Sequence, residues 1–189
     1  EMTSSLVGSE MCIRDRCYTY IKQMSCIWIS DNQRNEAILQ MEEIEYDLEE
    51  YEKQYERIRK DNEELLAVFR EDLSNLKPAT IRRHLSNVDF YINEYLLYEE
   101  PLSFDEGIYR IDDFLGWFFI RKCMWSTPAS IKSTAASIKK FYKSMKYHGK
   151  IASEAYDFLC DEIKNHMPEW QALCEQYNDP EAENPFFLF

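Results

Sequence analysis

The chain has 189 residues, 45% hydrophobic and 15% aromatic, enough for one domain with an appendage or for two small helical units. Only four Gly and six Pro leave little turn chemistry for a β fold, and no apolar run approaches the ~20 residues that a spanning helix needs. An all-α protein of the cytoplasm is therefore expected, and the net charge of −13 speaks against a nucleic-acid partner until its distribution is read.

Cys12, Cys17, Cys26, Cys123, Cys160 and Cys174 form no closely spaced pair, and His84, His148 and His166 are isolated. Metal sites in sequence usually show ligands paired at short spacing, so no metal, cofactor or small-molecule substrate is expected and the cysteines read as free thiols.

In chain order, residues 1–30 are an uncertain N-terminus. Residues 4–16 look like the translation of a sequencing-adapter remnant, and residues 1–16 are set aside from fold reasoning. Residues 31–75 read as an acidic amphipathic helix. Met41, Ile44, Leu48, Tyr51, Tyr55, Ile58, Asn62, Leu65 and Phe69 step by three and four, a heptad seam. Glu42, Glu43, Glu45, Asp47, Glu49, Glu50, Glu52 and Glu56 lie between the seam positions. Three arrangements fit such a helix: self-association or a protein contact through residues 38–69, packing against the following module, or a solvated arm. A break at Asp61 or Asn62, capping a fresh helix through Leu65, Leu66, Phe69 and Leu73, is the variant of this reading.

Residues 76–150 read as a compact helical module. Pro78 suits the first turn of a helix to Tyr98, with Ile81, Leu85, Val88, Ile92 and Tyr95 on one face and Glu99, Glu100 and Pro101 ending it. A loop over 103–107 precedes an apolar helix from Ile111 to Lys122, whose Phe114, Leu115, Trp117, Phe118, Phe119 and Ile120 suit a bundle centre. Thr127 and Pro128 then form an N-cap and first turn for a helix reaching Tyr147, with Gly149 as its stop. Ile131, Ala135, Ile138, Tyr142 and Met145 line its core face. Lys132, Lys139, Lys143 and Lys146 fall within about 60° of one another beside that face, at 3.6 residues per turn. Residues 151–177 form a further helix or helix pair, with Pro168 starting a new turn. Residues 178–189 are an acidic tail ending in four apolar residues, which suit either a partner or the protein's own core.

The charge is uneven. Residues 77–150 carry 12 Lys and Arg against 8 Asp and Glu, while the remainder carries 10 against 27. A module of net +4 thus lies between acidic flanks, and its Lys stripe suits a phosphate-tracking surface as well as a solvated basic face.

Three segments of this module carry a resemblance. Leu76-Lys77-Pro78-Ala79-Thr80-Ile81-Arg82-Arg83-His84-Leu85-Ser86-Asn87-Val88 resembles the opening helix of the SAM-like core-binding domain of tyrosine recombinases and phage integrases. Ile111-Asp112-Asp113-Phe114-Leu115-Gly116-Trp117-Phe118 is similar to its middle helix. Ser126 to Tyr142, with Ile131, Ile138 and the Phe141-Tyr142 pair, is similar to its later helix. The resemblance covers about 75 residues. It implies a small four- to five-helix bundle, here preceded by the long acidic helix, and DNA contacts from Thr80, Arg82, Arg83, Ser126, Thr127, Ser130, Lys132, Ser133 and Lys139, to which the Lys stripe adds Lys143 and Lys146. Hydroxyls and cations of these kinds are suited to phosphate contacts.

The family's catalytic domain has no counterpart after Gly149. Residues 151–189 contain no Arg and one His, His166, so the basic cage that the family's chemistry requires is missing there. The expectation is a non-catalytic DNA-binding protein of integrase ancestry, as from a mobile element. The alternative is an acidic protein-interaction module, a recombinase partner or DNA mimic, on the same scaffold.

Overall fold

The computed structural model describes the backbone of residues 31–98 and 101–186, with side chains from Glu49 onward. The expectations for residues 1–30, for the side chains of Met41, Ile44 and Leu48, for Glu99 and Glu100 as a helix end, and for Phe187–Phe189 lie outside the described residues. Every regular element among the described residues is helical. The chain divides into a unit ending at Lys53 and a unit from Gln54 to Phe189, so the division falls inside a helix.

That helix, α1 (Asp31–Asp72), runs 42 residues without the break considered at Asp61 or Asn62. In the first unit its Glu49, Glu50 and Glu52 are exposed, and Lys53 pairs with Glu49 at 3.4 Å. An exposed i,i+4 pair of this kind contributes about 0.3–0.5 kcal/mol. In the second unit the heptad seam is turned inward, with Leu65, Phe69 and Leu73 buried and Phe69 set edge-on to Phe141 at 5.5 Å. Asn62 is only 1% exposed, and its Nδ2 donates to Ile92 O at 3.0 Å and to Asn93 Oδ1 at 2.9 Å. The polar seam position therefore fastens the helix to its own module. Of the three arrangements for the acidic helix, residues 54–72 adopt the packed one.

The second element is α2 (Pro78–Asp89), which continues as a π-helical turn over Phe90–Tyr95. A second π-helical turn, Phe114–Phe118, joins α3 (Ile111–Asp113) to α4 (Phe119–Lys122). The expected uniform helices are thus each widened at one turn, and both wide turns lie in the aromatic centre. Tyr91, Tyr95, Phe114 and Phe118 meet there with ring centroids between 4.7 and 6.1 Å apart. The loop before α3 holds a 3-10 turn over Glu106–Arg110, fixed from inside by two buried tyrosines. Tyr91 donates to Gly107 O and Tyr142 donates to Phe104 O.

Helix α5 (Pro128–Tyr147) packs on α2 and on α6 (Ser153–Asn178). α6 is one helix, not a pair, and passes through Pro168 without ending. Proline removes one intrahelical N–H, and Pro168 and Lys164, four residues before it, are both exposed, so the carbonyl left without its donor lies on the wet side. α6 is held by its buried Leu159, Ile163, Trp170 and Cys174 and by hydrogen bonds from its C-terminal half. Gln171 Nε2 donates to Pro128 O at 3.0 Å, and Trp170, 1% exposed, donates from Nε1 to Asp112 Oδ1 at 2.6 Å. Phe186 lies against Tyr177 at 5.7 Å, so the first apolar residue of the tail rests on the protein itself.

Trp170 approaches α3 and α4 where only hydrogen is tolerated. A Cβ at Gly116 would stand 2.9 Å from Trp170 Cδ1 and 3.0 Å from its Nε1, both atoms of a rigid, anchored ring. Gly116→Ala is expected to lower unfolding stability by about 1–3 kcal/mol, the range for overpacking, read as a lowered urea midpoint at unchanged slope.

The end of α1 is tied to the end of α5 through Asp72, whose Oδ2 accepts from Ser144 Oγ at 2.5 Å and lies 3.1 Å from His148 Nε2. The Ser144 hydrogen bond, and then His148, hold the Asp72 carboxyl below its usual value of 3.8. A depressed carboxyl contributes stability that is fully present above the unfolded value and lost as pH falls through the folded one. Ser144→Ala is expected to be less stable than the parent at pH 7, with the difference shrinking below about pH 4 in denaturant titrations across pH.

Candidate nucleic-acid interface

Helix α5 begins with a reciprocal cap. Thr127, extended at φ −144° and ψ 159°, accepts from Ser130 N at 3.1 Å through Oγ1, and its own N–H donates to Ser130 Oγ at 2.8 Å. Pro128 takes the first helical position, where its missing N–H is harmless. Thr127 and Ser130 are therefore occupied by the helix start. Ser126 is buried, 4% exposed, and its Oγ donates to Ile120 O at 3.1 Å while its carbonyl accepts from Asn178 Nδ2 at 2.9 Å. Its position under α6 removes it from any outer surface, and it acts as a strut for the loop.

Past the cap, the buried face of α5 is wide. Ile131, Thr134, Ala135, Ser137, Ile138, Phe141, Tyr142, Ser144 and Met145 are all enclosed. Only a strip remains open, and Lys132, Lys139 and Lys143 stand on it, with Lys140 at its α2 edge. The seven- and four-residue stepping of the stripe gives the first three but not Lys140, which lies about 80° round the helix from Lys132, on the side away from the Ile131–Ile138–Tyr142 face. Lys146 is half-buried instead. Its Nζ lies 3.7 Å from Asp157 Oδ1 and 5.0 Å over the Tyr156 ring, so the first turns of α6 engage it.

α2 lies along the opposite border of the strip. His84 Nδ1 is 2.9 Å from Ser137 Oγ, and Asn87 Nδ2 donates to the same oxygen at 3.0 Å. Further along, the Phe90 ring meets Trp125 at 6.1 Å, so α2 and α5 run antiparallel. Arg82 and Arg83 are exposed beside this seam, while Thr80 and Ser133 are half-buried. Among the described residues, no carboxylate lies within 4.0 Å of Arg82, Arg83, Lys132, Lys139, Lys140 or Lys143. At the head of α5 the loop also presents Met124, fully exposed, and Trp125, 59% exposed.

Comparison with protein-family models, with curated proteins and with solved structures finds no match.

Other features of the unit have a different character. An open hollow of about 530 Å³ is lined by Tyr95, Trp117, Trp170 and Phe186, with Asp112, Asp113 and Glu169 at its margin. Its charge is opposite to that of the α2–α5 face. Among the described residues, no group of three or more His, Cys, Asp or Glu is placed to hold a metal ion. Burial pushes the Cys123 thiol up to about 12, which leaves it a thiol and a poor nucleophile at neutral pH.

The cap is separable from the cations. Thr127→Ala is expected to cost about 1 kcal/mol through removal of the Oγ1 acceptor, and Thr127→Ser to recover most of it, read as thermal midpoints of the two variants.

Proposed function

We propose that residues 76–150 bind duplex DNA without catalysing a reaction on it, laying the open strip of α5 and the Arg82–Arg83 pair along the phosphate backbone. The observation that carries this reading is the unpaired cationic face. Residues 114–153 hold eight Lys and Arg and no Asp or Glu, and among the described residues the exposed cations of α5 have no carboxylate beside them. Cations left unpaired by the fold are free to displace condensed counterions from a polyanion, which drives backbone binding. Lys132 to Lys143 spans about 16 Å of helix axis at ~1.5 Å per residue, roughly five base-pair steps of ~3.4 Å. The resemblance of 76–88, 111–118 and 126–142 to a recombinase core-binding domain supports the same reading, since its implied contacts include this strip.

The contribution of the individual groups differs. Lys132, Lys139, Lys143, Arg82 and Arg83 are the phosphate contacts of this proposal, with Lys146 secondary because Asp157 competes for it. Thr127 and Ser130 contribute through the cap, and Ser126 through the loop it supports. A second reading, an acidic module for a protein partner, draws on the exposed glutamates of α1.

The test is a fluorescence-anisotropy titration of the full chain against a random duplex of about 30 base pairs, from low to physiological salt. The expected result is binding that weakens steeply with salt. In Lys132/Lys139/Lys143→Ala the log–log salt slope should fall by about 2–3, near 0.9 for each phosphate no longer neutralised. Absence of binding at low salt would overturn the DNA reading and favour the acidic one.

A further inference from the structure

The seam between α2 and α5 holds a polar constellation that the backbone-tracking strip does not use. Ser137 is 0% exposed, and its hydroxyl donates back to Ser133 O at 2.9 Å, one turn earlier. That oxygen has one proton to give, and it is committed. Asn87 Nδ2 supplies a hydrogen bond to it from α2 at 3.0 Å. The contact with His84 Nδ1 at 2.9 Å must therefore also be one in which Ser137 accepts, so Nδ1 carries the imidazole proton. In the neutral ring this leaves Nε2 bare, and it has no hydrogen-bond partner among the described residues. The ring is thus oriented, its tautomer fixed, and its second nitrogen left open.

Two cations flank it. Arg83 is the next residue on α2, and Lys140 lies one turn beyond Ser137, the residue that His84 touches on α5; both are exposed and near enough for their charges to act on the ring. We propose that Arg83, His84 and Lys140 form a binding site for a backbone phosphate of duplex DNA, in which His84 takes up a proton as the phosphate binds and donates to it from Nε2. The proposal rests on the DNA-binding reading above and names the site within that surface where binding is tied to protonation.

The electrostatics of the unliganded protein agree. Burial, and then the charges of Lys140 on α5 and Arg83 on α2, hold His84 below the usual imidazole value of 6.5, and no carboxylate of the described residues acts on it. Without DNA the ring is therefore neutral at pH 7. A phosphate set between the same two cations cancels their repulsion and adds an acceptor, which raises the affinity of the ring for a proton. Between the free and the bound values DNA binding takes up protons, so affinity rises as pH falls. For one linked proton the limit is about tenfold per pH unit.

The test is the anisotropy titration of the full chain at fixed ionic strength from pH 8 to pH 5.5, for the parent and for His84→Gln. The expected result is a steeper gain in affinity on acidification for the parent, by up to about tenfold per unit, with the salt slope of His84→Gln at pH 8 within about 0.9 of the parent's. A second readout needs no variant: the His84 ring nitrogens, followed by NMR in the parent, should show the Nδ1–H tautomer when free and a raised titration midpoint with DNA. DNA binding with equal pH dependence in both proteins, or a His84 midpoint unmoved by DNA, would overturn this site and leave the DNA reading standing. No DNA binding by the parent at low salt would overturn the DNA reading itself, and this site with it.

Discussion

Everything in the second unit depends on the burial of α5. Its stripe from Ile131 to Met145 is enclosed by α2, by α6 and by the last turns of α1, and Phe141 and Tyr142 reach the aromatic and loop layers beyond. Burying side chains of this size gives about 1.5–3 kcal/mol each, so the helix cannot rotate without large loss. That rigidity fixes which residues remain outside. Little else on the helix is left free, and what remains is largely lysine.

Much of this is legible in the amino-acid order, and the reasons are local. Helix starts at Pro78 and at Thr127-Pro128 follow from fixed φ and from hydroxyl acceptors, and the stop at Gly149 from a backbone at φ +67°. The core face of α5 follows from a spacing of three and four. The two π-helical turns leave no comparable mark, because each replaces one hydrogen-bond register with another over the same apolar residues. Asn62 is readable as an oddity in a heptad seam. Its true role depends on Ile92 and Asn93, thirty positions away, which no local pattern connects to it.

The candidate interface divides the same way. The phase of Lys132, Lys139 and Lys143 is a property of one helix and can be counted. The inward position of Ser126 depends on Asn178 and α6, and the engagement of Lys146 depends on Asp157 and Tyr156, so both needed the fold. Lys140 and His84 escape a sequence reading for a related reason. His84 is half-buried on a helix face of mixed character and Lys140 reads as one more exposed lysine, and only the α2–α5 seam brings them together.

The π-helical turns at Phe90–Tyr95 and Phe114–Phe118 have a consequence for comparison across sequences. A π turn closes its hydrogen bonds at i→i+5 and so holds one residue more than the α-helical turn it replaces. Superposing this chain on a straight-helical counterpart therefore calls for a one-residue gap in the middle of each of two helices, inside their most apolar stretches.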